Sequence, residues 1–137
     1  MSKSSEDLEV WRRSRPLAVD VCRAFRECRD FGFRDQVTRA AVSVPSNIAE
    51  GAERNTRPEF VQFVGYAKGS LAELRTQLMI ARDLEYLSPE TTSGMLTEAE
   101  QLSRMLYRLA ESQKTDSARS QTRGRALNWN CQLVLIP

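Results

Sequence analysis

Hydrophobic positions in this chain recur with a helical period, in four stretches separated by short polar punctuation. Over residues 8–30, Trp11, Leu17, Ala18, Val21, Cys22, Phe25 and Cys28 fall on one side of a wheel turned by about 100° per residue. Arg12, Arg15, Arg23 and Arg26 fall on the other side. Pro16 lies inside this stretch without an N–H to donate, so it either kinks the helix or restarts it at its own first position. Asp30-Phe31-Gly32 reads as a stop and a turn. A second helix is predicted over 34–54, where Val37, Ala41, Val44 and Ile48 are spaced 4, 3 and 4. That seam runs on through Pro45, which predicts one kinked helix rather than two. Gly51 lies near its end, and Arg54-Asn55-Thr56-Arg57 forms the next turn.

The third stretch carries the strongest pattern. Thr56 is placed to cap a helix, with Pro58 in its first turn and Glu59 favourably set against the helix dipole. Phe60, Val64, Ala67, Leu71, Leu74, Leu78 and Ala81 then step by 4, 3, 4, 3, 4 and 3, a heptad seam ending near Leu84. Ser88-Pro89-Glu90 opens the fourth helix, with Met95, Ala99, Leu102, Leu106 and Leu109 as its seam. No stretch alternates with period 2 for long enough to compete as a strand. Short connections force neighbouring helices antiparallel. The expected fold is therefore all-α, an up-down-up-down four-helix bundle over residues 8–111, preceded by an arm at 1–7.

Beyond Glu111 the pattern stops, and residues 112–137 are expected to form a flexible, disordered basic tail. Its end, Ala126 to Pro137, is a short apolar patch that either docks in a neighbouring groove or is a loosely held terminus. Charge supports the division. Residues 1–112 carry 16 Lys+Arg against 17 Asp+Glu, whereas residues 113–137 carry four against one, so the net +2 resides in the tail. Seventeen of the 20 basic residues are arginine, which suits carboxylates and phosphates alike.

Histidine is absent, which removes the commonest general base and metal ligand. Cys22, Cys28 and Cys131 form no C-x-x-C pair and read as reduced thiols, the first two as small core residues. There is no Gly-x-Ser-x-Gly, no phosphate-binding loop and no Glu-x-x-His pair. The N-terminus lacks a signal-peptide pattern, and no apolar run reaches the roughly 18 residues of a membrane span. The expectation is a cytoplasmic protein with no cofactor, no metal, no catalytic residues and no membrane partner.

Three polar features remain. Ser43, Asn47, Glu50 and Arg54 line one stripe of the second helix, either as a binding strip or as local supports around Pro45, with Ser46 and Asn47 satisfying backbone groups and Glu50 paired to Arg54. Gly65 and Gly69 sit four apart on the third helix, which close approach of another helix, within the bundle or between subunits, would justify. The arginines Arg12, Arg15, Arg23 and Arg26, with Arg119, Arg123 and Arg125 of the tail, form either a phosphate-contacting surface or a solvated face with weak ion pairs.

Asp7-Leu8-Glu9-Val10-Trp11, the run Arg39 to Gly51 containing Val-Pro-Ser-Asn-Ile-Ala-Glu-Gly, Gly69-Ser70-Leu71-Ala72-Glu73-Leu74 with Gln77-Leu78, and Leu84-Glu85-Tyr86-Leu87 occur in this order. Over residues 6–111 the chain resembles the bacterial four-helix-bundle proteins encoded in intervening sequences of 23S ribosomal RNA genes. The resemblance marks Pro45, Ser46, Asn47, Glu50, Gly51, Gly69 and Glu73 as motif positions. It implies a homopentamer, a barrel of bundles around a channel, without catalytic residues. Relatives include the accessory variability determinant of diversity-generating retroelements, which binds nucleic acid and a reverse transcriptase. Pro16 and the tail depart from the family pattern. The functional expectation is a non-enzymatic homo-oligomeric scaffold; the alternative is an RNA- or DNA-binding accessory protein using the helix 1 arginines and the tail.

Overall fold

The computed structural model describes Ser5 and residues 8–122, with side chains up to Lys114. Four helices make up the chain: α1 (Glu9–Ala24), α2 (Phe31–Ala52), α3 (Arg57–Asp83) and α4 (Pro89–Thr122). Each packs on its successor, α1 closes against α4, and opposite helices do not meet among the described residues. The turns α1–α2 and α3–α4 lie at one end, where the Tyr86 hydroxyl donates to Asp30 Oδ2 at 2.8 Å. This is the arrangement that short connections between amphipathic helices require.

The predicted seams form the core. Val21, Val37, Ile48, Val64, Leu71, Leu74, Leu78, Ala99, Leu102 and Leu106 are fully buried, and Phe60 and Leu109 pack at its margin. Thr56 caps α3, accepting from the Glu59 N–H at 3.3 Å, and Ser88 does the same for α4 through the Thr91 N–H at 3.1 Å.

Several boundaries differ from the sequence reading. The first helix ends at Ala24 rather than near residue 30: Phe25 leaves helical geometry with its ring buried, and the bonds that follow, Arg26 N–H to Arg23 O at 3.2 Å and Cys28 N–H to Phe25 O at 3.0 Å, span three residues instead of four. Asp30-Phe31-Gly32 starts a helix instead of stopping one. Asp30 is the N-cap of α2 and accepts from the Phe33 N–H at 3.1 Å, so Phe31 and Gly32 are its first residues. Pro16 and Pro45 both lie inside continuous helices, so neither restarts its helix.

Helix α4 continues past Glu111 to Thr122. No proline or glycine falls between Gly94 and Gly124, and extending an existing helix is far easier than nucleating one. The expected arm apart from Ser5, Cys131 and the apolar patch at 126–137 lie outside the described residues.

Candidate functional site

The motif from Pro45 to Gly51 spans the second half of α2. Pro45, Ile48 and Gly51 face inward and are buried. The outward polar side chains bond their own helix: Ser43 Oγ to Ala40 O at 2.9 Å, Ser46 Oγ to Val42 O at 2.8 Å, and Asn47 Nδ2 to Ser43 O at 2.8 Å. Glu50 pairs with Arg54 at 3.3 Å, and the Arg54 guanidinium stacks 4.6 Å from the centre of the Phe63 ring. Of these contacts, the Arg54–Phe63 stack is the one that ties the turn after α2 to α3.

Gly51 is the glycine that a close approach requires. A Cβ there would stand 2.8 Å from Phe63 Cβ and 3.3 Å from Phe60 O. Gly69 behaves otherwise than expected within the bundle: it lies on the outer face of α3, where a Cβ would meet nothing within 4 Å. Gly65 is half-buried. Glu73 is exposed and accepts from Gln77 Nε2 at 3.2 Å.

On α1, Arg12, Arg15 and Arg23 are exposed, as is Arg26 just beyond its end. Arg15 stacks 4.7 Å from the Trp11 ring centre. Arg12 lines a shallow groove between α1 and α4 together with Asp20 and Glu98. The cation that joins the two helices is Arg13, which the sequence reading passed over. Its Nη2 lies 2.6 Å from Glu98 Oε1, and it also donates to Gln101 Oε1. Arg119 lies within α4, while Arg123 and Arg125 lie outside the described residues.

A second groove, about 450 Å³ and open, runs between α3 and α4, lined by Lys68, Ser103, Arg104, Tyr107 and Arg108. Lys68 Nζ stands 5.2 Å from the centre of the Tyr107 ring, and Arg108 Nε lies 3.5 Å from Arg104 O. Tyr107 is 56% exposed. The signal in the sequence was Arg104, Tyr107 and Arg108 within one turn of α4, but Lys68 joins them only through the register of the two helices.

At the end of the bundle, hydrogen bonds from the Tyr86 hydroxyl and the Phe33 N–H hold the Asp30 carboxyl below its ordinary pKa. The same bond to Asp30 raises the Tyr86 phenol. Cys22 and Cys28 are half-buried free thiols, and Cys28 packs against the margin of the core. Among the described residues, no group of three or more His, Cys, Asp or Glu is placed to hold a metal ion. No described helix is long and apolar enough to cross a membrane.

The geometry defines an all-helical bundle whose specific motif maintains a helix corner. The family model described as "23S rRNA-intervening sequence protein" matches residues 6–108, and the chain belongs to that family. It is similar in fold to the crystal structure of a protein of unknown function from the S23 ribosomal protein family of Bacteroides thetaiotaomicron. That likeness has a TM-score of 0.69 at 20% identity and covers 73% of this chain and 96% of the other. None of the curated proteins matches the chain.

Proposed function

We propose that the protein is a non-enzymatic scaffold that works as a homo-oligomer, with five copies as the number that the family resemblance implies. The supporting observation is surplus apolar surface on a bundle whose core is already complete. Phe31 is 60% exposed, Leu84 51%, Ile80 43% and Met79 38%, and all four lie toward the end that carries the α1–α2 and α3–α4 turns. Apolar area of this kind is worth about 25 cal/mol per Å² when a second copy covers it, before association costs are subtracted. The exposed Gly69 adds room for a helix of a neighbouring copy to approach α3 closely.

Light scattering on the purified protein at tens of micromolar tests this reading. The expected result is a discrete oligomer, and the variant Ile80→Asp with Leu84→Asp is expected to run as a folded monomer. A wild-type monomer at that concentration overturns the proposal.

The arginines of α1 give weaker support to nucleic-acid binding. Asp20 lies along the same helix, Glu27 follows it, and Glu98 faces it from α4, so acids intersperse this surface. Interspersed charges of both signs give little net attraction for a phosphate backbone.

A further inference from the structure

We propose that the groove between α3 and α4 binds single-stranded nucleic acid, with Lys68 and Arg108 meeting phosphates and Tyr107 presenting its ring to a base. This groove is separate from the exposed apolar surface at the end of the bundle. Helix α3 carries a cation every seven residues, at Lys68, Arg75 and Arg82, two helical turns or about 10 Å apart. Residues at that spacing share one stripe, and Lys68 places the stripe beside α4 through its contact with Tyr107. Across the groove, Arg104 and Arg108 are one turn, about 6 Å, apart.

Acids engage two of these five cations and leave three. Glu100 engages Arg104 at 2.8 Å, Asp83 engages Arg82 at 3.3 Å, and Glu111 engages Lys114 at 3.0 Å. Among the described residues, no carboxylate lies within ion-pair distance of Lys68, Arg75 or Arg108. Three cations without a carboxylate partner, Lys68, Arg75 and Arg108, thus line one seam of a nearly neutral bundle. Such a stripe attracts a phosphate backbone through release of its counterions.

Charge alone would suit any polyanion; the aromatic ring selects among them. Tyr107 stays mostly exposed between two arginines, and an exposed ring flanked by cations is the arrangement on which unstacked bases settle. The groove is too open to enclose a small molecule. A duplex keeps its bases stacked inside and offers no free face to Tyr107.

The test is fluorescence anisotropy with labelled oligouridine and oligothymidine over a salt series, on the full chain. The wild type is expected to bind at low salt, with affinity falling linearly on logarithmic axes. Lys68→Ala with Arg108→Ala is expected to weaken binding at least tenfold and to lower the salt slope by about 1.4, since each phosphate contact on a single strand contributes about 0.7. Tyr107→Ala is expected to lose about 5- to 150-fold with the slope unchanged, as loss of one stacked base predicts. Arg23→Ala with Arg26→Ala, on the α1 side, is the control expected to bind like the wild type. Thermal melting verifies that each variant is folded. No binding by the wild type at the lowest salt overturns the proposal. So does undiminished binding by the Lys68/Arg108 variant, or an equal loss in the control. Inorganic polyphosphate or a matched duplex competing as well as the single strand also overturns it, leaving only a polyanion surface.

Discussion

Replacing Gly51 with alanine tests the corner that the Pro45–Gly51 motif builds. A Cβ at this position would stand 2.8 Å from Phe63 Cβ and 3.3 Å from Phe60 O. Neither atom is the free end of a flexible side chain, so the end of α2 or the first turns of α3 must move. Overpacking of this type costs about 1–3 kcal/mol. Alanine recovers up to about 1 kcal/mol of helix propensity in a helix interior, and less at Gly51, which is next to the last residue of α2. The net expectation is a loss of about 1–2 kcal/mol. Gly69 reverses the sign. There a Cβ meets nothing within 4 Å, so the propensity gain of nearly 1 kcal/mol stands alone. The two variants should therefore straddle the wild type by about 2–3 kcal/mol in urea unfolding followed by circular dichroism, with unchanged m-values. In thermal unfolding the loss at Gly51 corresponds to roughly 3 °C per kcal/mol. Measurements belong at the lowest practical concentration, where self-association contributes least. A Gly51→Ala variant as stable as the wild type would refute the close approach, and a destabilised Gly69→Ala would refute the open face.

Other predictions follow from single contacts. Leu74 is fully buried at the centre of the α3 seam, so Leu74→Ala is expected to lose about 2–5 kcal/mol in the same urea assay, and unchanged stability would contradict its placement. Arg13→Ala is expected to cost up to about 1 kcal/mol, because its pair with Glu98 is about one-third exposed; a double-mutant cycle with Glu98→Ala isolates the pair from packing. The Asp30–Tyr86 bond depresses an acid in the folded state, so its stabilisation is present above the unfolded carboxylate pKa and is lost as pH falls through the folded value, below about pH 4. The raised Tyr86 phenol makes a second limb: its stabilisation is present below the unfolded phenol pKa, about 10, and is lost as pH rises through the higher folded value. Wild type and Tyr86→Phe are therefore expected to differ most at intermediate pH and to converge toward both extremes, and a gap independent of pH would count against the bond.

The seams were legible because burial is written into apolar residues at fixed spacing. Leu71, Leu74, Leu102 and Leu106 needed no tertiary information to be placed inside. The helix starts at Thr56 and Ser88 were legible for a similar reason: a short oxygen-bearing side chain precedes the run it caps. Asp30 carries the same signal but stands next to Phe31-Gly32, and Asp-x-Gly reads equally as a turn. Glycine environments were not legible. Gly51 and Gly69 look alike locally, and what distinguishes them is which neighbouring helix lies across from each. The cationic groove was hidden for the same reason, since Lys68 and Arg104 belong to different helices and meet only when α3 and α4 take their register.

The specificity of the Pro45–Gly51 stretch invites a functional interpretation, yet its groups are already used. Its buried members fill the α2–α3 corner, Ser46 and Asn47 bond carbonyls of their own helix, and Glu50 is held by Arg54. A side chain whose hydrogen bonds are made inside the protomer has little left for a partner. The surface of α3 divides instead into two different stripes. Tyr66, Glu73 and Ile80, seven apart, form an exposed stripe away from α4, continued toward the end of the bundle by Leu84. Lys68, Arg75 and Arg82 form the stripe beside α4. Seven-residue spacing keeps the two rows apart along the whole helix, so copies meeting through Ile80 and Leu84 leave Lys68 and Tyr107 uncovered. Strand binding per protomer should then be the same in the Ile80→Asp/Leu84→Asp monomer as in the oligomer, apart from avidity on longer strands. Loss of short-strand binding in that monomer would place the two functions on one surface and refute their separation.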